Sequence, residues 1–369
     1  MNKKVLVTGI TGQDGSHMVD YLLKNTDCEI YGSVRRLSVK NHENILHLIN
    51  NPRVHIIDMD LNDAHSIRDV VINIKPDYFI NFAAQSFVAG SWKYPTQTFE
   101  TDANAVLHIL ESIRRFAPNC RFYNAGSSEE FGDVVYSPQD ENHPLRPQSP
   151  YGAAKCAARH LVRVYKESYG LYAVQGWLFN HEGTRRGLDF VTRKISSSVA
   201  KIKLALNEGC PLPICELGNL DAKRDWSDAE DFMDGVWLML NQKSPKNYVL
   251  ASGEMHTIRE FLEEALSIAG INFTKEGELE NEKYYSIDSQ KSLIIQINPK
   301  FYRPAEVHEL LGDPTLAEKE LNWVRTTDFK GLVSKMYHND YNLLKSNSFK
   351  IEDLISEISI KEEKYVIKN

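Results

Sequence analysis

Five cysteines among 369 residues are too few and too scattered to staple a fold or hold a metal. Cys28, Cys120, Cys156, Cys210 and Cys215 are odd in number and form neither a C-x-x-C pair nor zinc-type Cys/His spacing, so they read as reduced thiols and no metal site is expected. No apolar run approaches the ~18 residues of a membrane span. Lys3 and Lys4 lead directly into the apolar Val5-Leu6-Val7 without a cleavage-like site, so no leader is expected, and a cytoplasmic location is. Charge of one sign is missing as well. The 50 acidic and 43 basic residues are interspersed, and a formal charge of −7 argues against nucleic acid or an anionic membrane surface as partner. Internal repeats are absent. With 42% apolar residues, 20 Gly and 14 Pro, the composition excludes collagen-like, low-complexity and disulfide-scaffold classes and leaves a soluble globular chain with a large core.

What is present is regular βα alternation. Val5-Leu6-Val7, Glu29 to Val34, Val54 to Ile57, Tyr78 to Phe82, Arg121 to Asn124 and Ala173 to Leu178 read as buried parallel strands, with helical segments such as Ser16 to Lys24 between them. This predicts an α/β fold, an open parallel sheet covered on both faces, whose ligands bind beyond the carboxyl ends of the strands. After Phe179 the pattern changes: a Gly/Arg-rich loop, a helical stretch near Val191 to Leu206 and Cys210-Pro211-Leu212-Pro213 open a second, smaller region. A helix and strand within 228–252 can rejoin the sheet. The expected division is 1–180 plus 228–252 for the sheet domain, 181–227 plus 253–335 for a discontinuous α/β substrate domain, and 336–369 for a helical or frayed tail.

Gly9-x-x-Gly12-x-x-Gly15 follows a strand and opens a helix, which permits close approach of a pyrophosphate to the helix N-terminus. A glycine triplet alone is an ordinary connection; its position makes it a candidate dinucleotide turn. At the end of the second strand stand Arg35 and Arg36, where an NAD reader presents a carboxylate, and guanidinium groups suit the 2′-phosphate of NADP. A solvated loop or a subunit contact is the other reading of that pair. Asp60 and Leu61 are placed to meet the adenine, and Phe82, Ala83, Ala84 and Gln85 to line the phosphates and the nicotinamide ribose.

Tyr151 and Lys155 fall one turn apart on one helix face, where the ammonium is expected to lower the phenol pKa and let Tyr151 take a proton from a sugar hydroxyl as hydride leaves. Tyr341 and Lys345 repeat the spacing in the tail but lack a nucleotide-binding pattern nearby. Ser127 and Glu129, just past the fifth strand, are placed to meet that hydroxyl and the next carbon of the sugar. The competing reading is a helix-capping Ser/Glu cluster on a solvated loop.

Thr8-Gly9-Ile10-Thr11-Gly12-Gln13-Asp14-Gly15-Ser16, Val34-Arg35-Arg36, Ala83-Ala84-Gln85-Ser86, Ser127-Ser128-Glu129, Ser149-Pro150-Tyr151-Gly152-Ala153-Ala154-Lys155 and Phe179-Asn180-His181-Glu182 occur in that order. With Arg185-Arg186-Gly187, Phe190 to Ile195, Gly218 to Trp226 and Tyr302 to Val307, the chain from about residue 3 to 335 resembles the GDP-mannose 4,6-dehydratases, which are extended short-chain dehydrogenase/reductases. The resemblance implies a Rossmann-type doubly wound domain and a 4,6-dehydratase, a hydro-lyase, in which NADP takes a hydride from sugar carbon 4 and returns it to carbon 6. Catalysis would rest on Ser127, Glu129, Tyr151 and Lys155, with Glu129 as base and then acid and its pKa nearer neutrality. Cofactor contacts would come from Gly9, Thr11, Gly12, Gln13, Asp14, Gly15, Arg35, Asp60, Leu61, Phe82 to Ser86, Tyr151, Lys155, His181 and Arg186. Around the GDP-sugar would stand Ser86, Ser127, Ser128, Asn180, Val191, Lys194, Arg224, Arg303 and Glu306. A homo-tetramer or dimer is implied too.

Several positions depart from that family's usual pattern: Ser127 for Thr, Phe87 for His, Gln97 for Tyr, Glu130-Phe131 for an apolar residue and Tyr, and an insertion from Gly209 to Glu216. They leave GDP-manno-heptose open beside GDP-mannose as substrate. A nucleotide-sugar 4-epimerase or 4-ketoreductase would use the same Tyr/Lys pair without needing Glu129. A non-catalytic NADP-binding protein would need a broken Ser/Tyr/Lys set, which here is intact.

Overall fold

A computed structural model of the chain describes residues 2–38, 41–287, 290–301 and 310–346. The chain forms two compact units, the first of Met1–Arg185, Lys223–Met255 and Ala305–Asp328, the second of Arg186–Ala222, His256–Pro304 and Phe329–Asn369. In the first unit, β1 (Lys4–Thr8), α1 (Gln13–Asn25), β2 (Glu29–Val34), β3 (Val54–Asp58), α2 (Ala64–Ile74), β4 (Tyr78–Asn81), α3 (Val88–Lys93), α4 (Pro95–Phe99), α5 (Ala105–Phe116), β5 (Arg121–Ala125), α6 (Pro150–Tyr169), β6 (Ala173–Leu178) and β7 (Asn180–Glu182) follow in order. After α7 (Val191–Glu208) and β8 (Cys215–Leu217), which belong to the second unit, the chain returns to the first with β9 (Lys223–Asp228), α8 (Ala229–Leu240) and β10 (Val249–Leu250).

The main sheet runs β10-β6-β5-β4-β1-β2-β3 with every pairing parallel. The strand order reverses between β1 and β4, which opens a crevice at their carboxyl ends. Parallel strands buried on both faces must be apolar throughout, and helices cover them on each side. Met18, Val19 and Leu22 of α1 and Phe232, Val236 and Met239 of α8 pack one face; Ile67 and Val71 of α2, Ile109 and Ile113 of α5, and Val162 of α6 pack the other. Burying each such side chain stabilises the fold by roughly 1.5–3 kcal/mol. β10 does extend the sheet, next to β6.

The second unit carries β11 (Met255–Thr257) at its join, α9 (Ile258–Ile268), β12 (Phe273–Glu276), β13 (Lys283–Ser286) and β14 (Leu293–Ile297). Its sheet is mixed: β12-β13-β14 are antiparallel and β8 lies parallel to β14. α10 (Thr315–Leu321) belongs to the first unit, and α11 (Phe329–Ser346) packs on α7 and α9 in the second. The start of the expected tail is therefore helix; residues 347–369 lie outside the described residues. Among the described residues no helix is long and apolar enough to cross a membrane.

Candidate active site

The β1–α1 turn is built on glycines for steric reasons. Gly9 sits at φ +69, and a Cβ there would lie 2.9 Å from the Ala83 nitrogen; a Cβ on Gly15 would lie 2.3 Å from the Gly9 carbonyl oxygen. α1 starts at Gln13 behind Gly12, whose lack of a side chain leaves the first helical N–H groups uncapped. Such a turn fits a dinucleotide's pyrophosphate. Gln13 and Gln85 each keep a buried side-chain carbonyl oxygen without a partner, acceptors suited to a hydroxyl or amide of a bound ligand rather than to its phosphates. His181, at β7, brings its Nε2 to 3.0 Å from the Asp14 carboxylate while its backbone carbonyl accepts from the Gln13 amide at 3.1 Å.

Arg35 and Arg36 stand exposed just past β2. Beyond β3, the Asp60 carboxylate accepts from the Asn62 N–H at 2.9 Å, and Leu61 is buried. Phe82 to Gln85 follow β4, held by the Ala83 N–H on the Thr8 hydroxyl, 3.0 Å, and the Gln85 N–H on the Asp102 carboxylate, 2.7 Å. Ser86 is exposed.

Ser149 caps α6 by accepting the Gly152 N–H at 3.0 Å, Pro150 follows as a good first helical residue, and Gly170 closes the helix in the left-handed region. That fixes Tyr151 and Lys155 in the first two turns, both buried. The Lys155 ammonium lies 5.6 Å from the centre of the Tyr151 ring and donates to the Ala125 carbonyl at the end of β5, 3.0 Å. The Ser127 hydroxyl faces the Tyr151 phenol and favours its ionised form. Ser127, Tyr151 and Lys155 thus converge where β5 ends, with Glu129, half-buried, in the same short turn.

The turn keeps the capping half of the competing reading. Ser127 does cap it, accepting the Glu129 N–H at 3.2 Å, but the reciprocal carboxylate is Glu130, and the cluster is not a solvated loop. Electrostatics differ from expectation. Burial pushes the Tyr151 phenol up, the Asp102 charge adds to it, and the Ser127 hydrogen bond opposes both. The expected lowering by Lys155 does not prevail, because the phenol is desolvated. Sequence reasoning missed Asp102. It is buried in the π-helical turn that opens α5, its Oδ2 has no hydrogen-bond partner, and burial raises its pKa to about 6 against the pull of Lys155.

Of the positions expected around a substrate, Asn180 lies on β7 and Arg224 on β9, which pairs parallel with β7. The buried Arg224 donates to the Lys223 carbonyl at 2.7 Å. Ser128 is buried in the turn after β5. In the second unit, the Arg186 guanidinium covers the Phe190 ring at 3.5 Å, Val191 opens α7, and the Lys194 ammonium lies 3.8 Å from the centre of Phe301. Thr11 offers its carbonyl to Asn44, 2.9 Å. Arg303 and Glu306 lie outside the described residues. Tyr341 and Lys345 sit on α11, with the Tyr341 hydroxyl accepting from Asn207 at 3.3 Å. All five cysteines are unbridged, and among the described residues no cluster of His, Cys, Asp and Glu can hold a metal ion.

The sequence model of a family described as GDP-mannose 4,6 dehydratase matches residues 6–336. A GDP-mannose 4,6 dehydratase of Drosophila melanogaster is 42% identical over 94% of this chain and 88% of its own length, and one of Homo sapiens is 41% identical over 93% and 92%. Among solved structures, the UDP-glucose 4-epimerase of Thermus thermophilus in complex with NAD aligns with a TM-score of 0.74 at 24% identity, covering 91% of this chain and 98% of that one. That likeness is one of fold.

Proposed function

The chain belongs to the GDP-mannose 4,6-dehydratase family, and from that membership we propose that it removes water from GDP-mannose, giving GDP-4-keto-6-deoxymannose, with NADP as its nicotinamide cofactor. The observation that carries this reading is the convergence of Ser127, Tyr151 and Lys155 at the end of β5 with Glu129 in the same turn. Arg35 and Arg36, past β2, favour the 2′-phosphate of NADP over the free hydroxyl of NAD.

The turn of Gly9, Gly12 and Gly15 would hold the cofactor, which would supply a hydride acceptor for carbon 4 and a hydride donor for carbon 6. Tyr151, aided by Ser127 and Lys155, takes the proton of the carbon 4 hydroxyl. The ketone so formed acidifies the carbon 5 proton, which Glu129 removes. Protonated Glu129 then protonates the departing carbon 6 hydroxyl, and water leaves. The proton held by Tyr151 balances the one that carbon 5 regains, so the net change is loss of one water. Asn180 and Arg224 serve the nucleotide sugar; a guanidinium suits its diphosphate.

The test is turnover by the purified, NADP-loaded protein. GDP-mannose bearing deuterium at carbon 4 should yield a 4-keto product with deuterium at carbon 6, and Glu129→Gln should block water loss while reduced nicotinamide builds up. Loss of the label to solvent would overturn the mechanism. Consumption of GDP-manno-heptose alone would replace the sugar, and unchanged turnover in Glu129→Gln would indicate an epimerase or ketoreductase.

A further inference from the structure

A buried polar side chain stands on each of four neighbouring strands, and the four lie in register: Thr8 of β1 beside Asn81 of β4, Asn81 beside Asn124 of β5, Asn124 beside Gln175 of β6. All are buried. The Thr8 hydroxyl donates to Asn81 at 2.6 Å, Asn81 to Asn124 at 2.7 Å, Asn124 to Gln175 at 2.7 Å, and Gln175 to the Glu130 carboxylate at 3.1 Å. Both ends impose this direction. The Thr8 hydroxyl accepts the Ala83 N–H and gives its own proton to Asn81; at the other end the Glu130 carboxylate, paired with Arg159, accepts from Gln175. The aligned dipoles reinforce one another and deliver donor character to one carboxylate.

Glu130 is fully buried, and its carboxylate takes four hydrogen bonds from three residues. Oε1 accepts from the Ser127 N–H at 2.9 Å and from Gln175 and Arg159; Oε2 accepts from the Arg159 Nε–H. The buried Arg159 guanidinium lies 3.5 Å from the centre of the Trp177 ring and donates to the Gln175 carbonyl at 2.8 Å. A buried ion pair of this kind is a weak stability device, since apolar residues of similar volume usually serve as well or better. An apolar residue is what the family likeness leads one to expect at position 130. What the pair does supply here is a fixed acceptor for the backbone of the residue whose hydroxyl meets Tyr151.

We propose that Glu130 is a positioning residue for the dehydration: held by Arg159 and the side-chain ladder from β1 to β6, its carboxylate fixes the backbone of Ser127 and with it the placement of the Ser127 hydroxyl and of Glu129. The proposal rests on the dehydratase reading for its kinetic consequence and on geometry alone for its structural one. Removing a single member of the pair would strand a buried charge, so the test uses double variants. E130L/R159M deletes the acceptor and both charges. E130Q/R159M deletes both charges but keeps an oxygen for the Ser127 N–H.

In the NADP-loaded full chain, E130L/R159M is expected to lower kcat for GDP-mannose at least about tenfold with KM nearly unchanged, as a displaced catalytic group does. The Ser127 amide should exchange its hydrogen at least about tenfold faster, with β5 amides unaffected. E130Q/R159M should restore most of both. The proposal is overturned if kcat or Ser127 exchange in E130L/R159M stays at the parent's level, or if the two variants fall equally, which would assign the effect to charge or packing. If the parent itself leaves GDP-mannose untouched, the dehydratase reading fails while the exchange comparison still decides whether Glu130 fixes the turn.

Discussion

The carboxyl of Asp102 and the ammonium of Lys155 are buried in one electrostatic environment, the ammonium pulling the carboxyl down while burial holds it at about 6. The same carboxylate charge raises the Tyr151 phenol, and the Ser127 hydrogen bond lowers it. Two variants should therefore displace the rising, base-requiring limb of the pH–kcat profile in opposite directions. Asp102→Asn removes a negative charge and should move it to lower pH; Ser127→Ala removes the bond that favours the phenolate and should move it to higher pH. Steady-state turnover across the pH range of that limb checks both signs. Displacement of both variants in the same direction would show that Tyr151 ionisation does not set the limb.

The glycine turn, the Tyr151/Lys155 spacing and the βα alternation were legible because each is a local pattern: fixed spacing, or apolar runs set against a helical period of 3.6. Asp102, Arg159 and the row from Thr8 to Gln175 were not, because their partners come from other elements. A signal existed. Asp102 falls on the same helical stripe as Val106, Ile109 and Ile113, and Arg159 stands one turn from each of Cys156 and Val162, where a charge must be compensated from outside the helix. Glu130 stood out as a departure from an apolar position, but nothing local identifies Arg159 as its partner. Net pKa values are equally non-local: the spacing of Tyr151 and Lys155 is visible in sequence, whereas the desolvation that outweighs it depends on the packed structure.

Gly15→Ala tests the turn without touching a functional group. Its Cβ would meet the Gly9 oxygen at 2.3 Å, the Gly9 carbonyl carbon at 2.7 Å and the Ile10 Cα at 2.9 Å, all backbone atoms, so α1 must withdraw from the turn. The variant is expected to fold, because Ala suits a helix, and to bind NADP at least about tenfold more weakly through loss of close approach. Titration of NADP into the variant, with circular dichroism to establish folding, measures this; an affinity within about twofold of the parent's would remove the turn from the binding site.

Asp225 provides a stability test in the same unit. Buried on β9, it accepts the Ser252 N–H and hydroxyl, both at 2.6 Å, the Gly253 N–H at 3.0 Å and the Gly312 N–H at 3.2 Å, yet burial outweighs these bonds and raises its pKa to about 6. A carboxyl raised in the folded state binds its proton more tightly there than in the unfolded chain. Its favourable contribution is therefore complete below the unfolded value, near 3.8, and is lost as pH rises through about 6. The size is about 3 kcal/mol, from roughly two pKa units. Asp225→Asn cannot titrate. Compared with the variant, the parent should lose thermal stability between about pH 4 and pH 7, so any advantage it holds over the variant in acid shrinks toward neutrality. Paired melts at intervals across that range decide it: parallel curves, or a parent that gains on the variant as pH rises, would mean that the four hydrogen bonds and not burial dominate at Asp225.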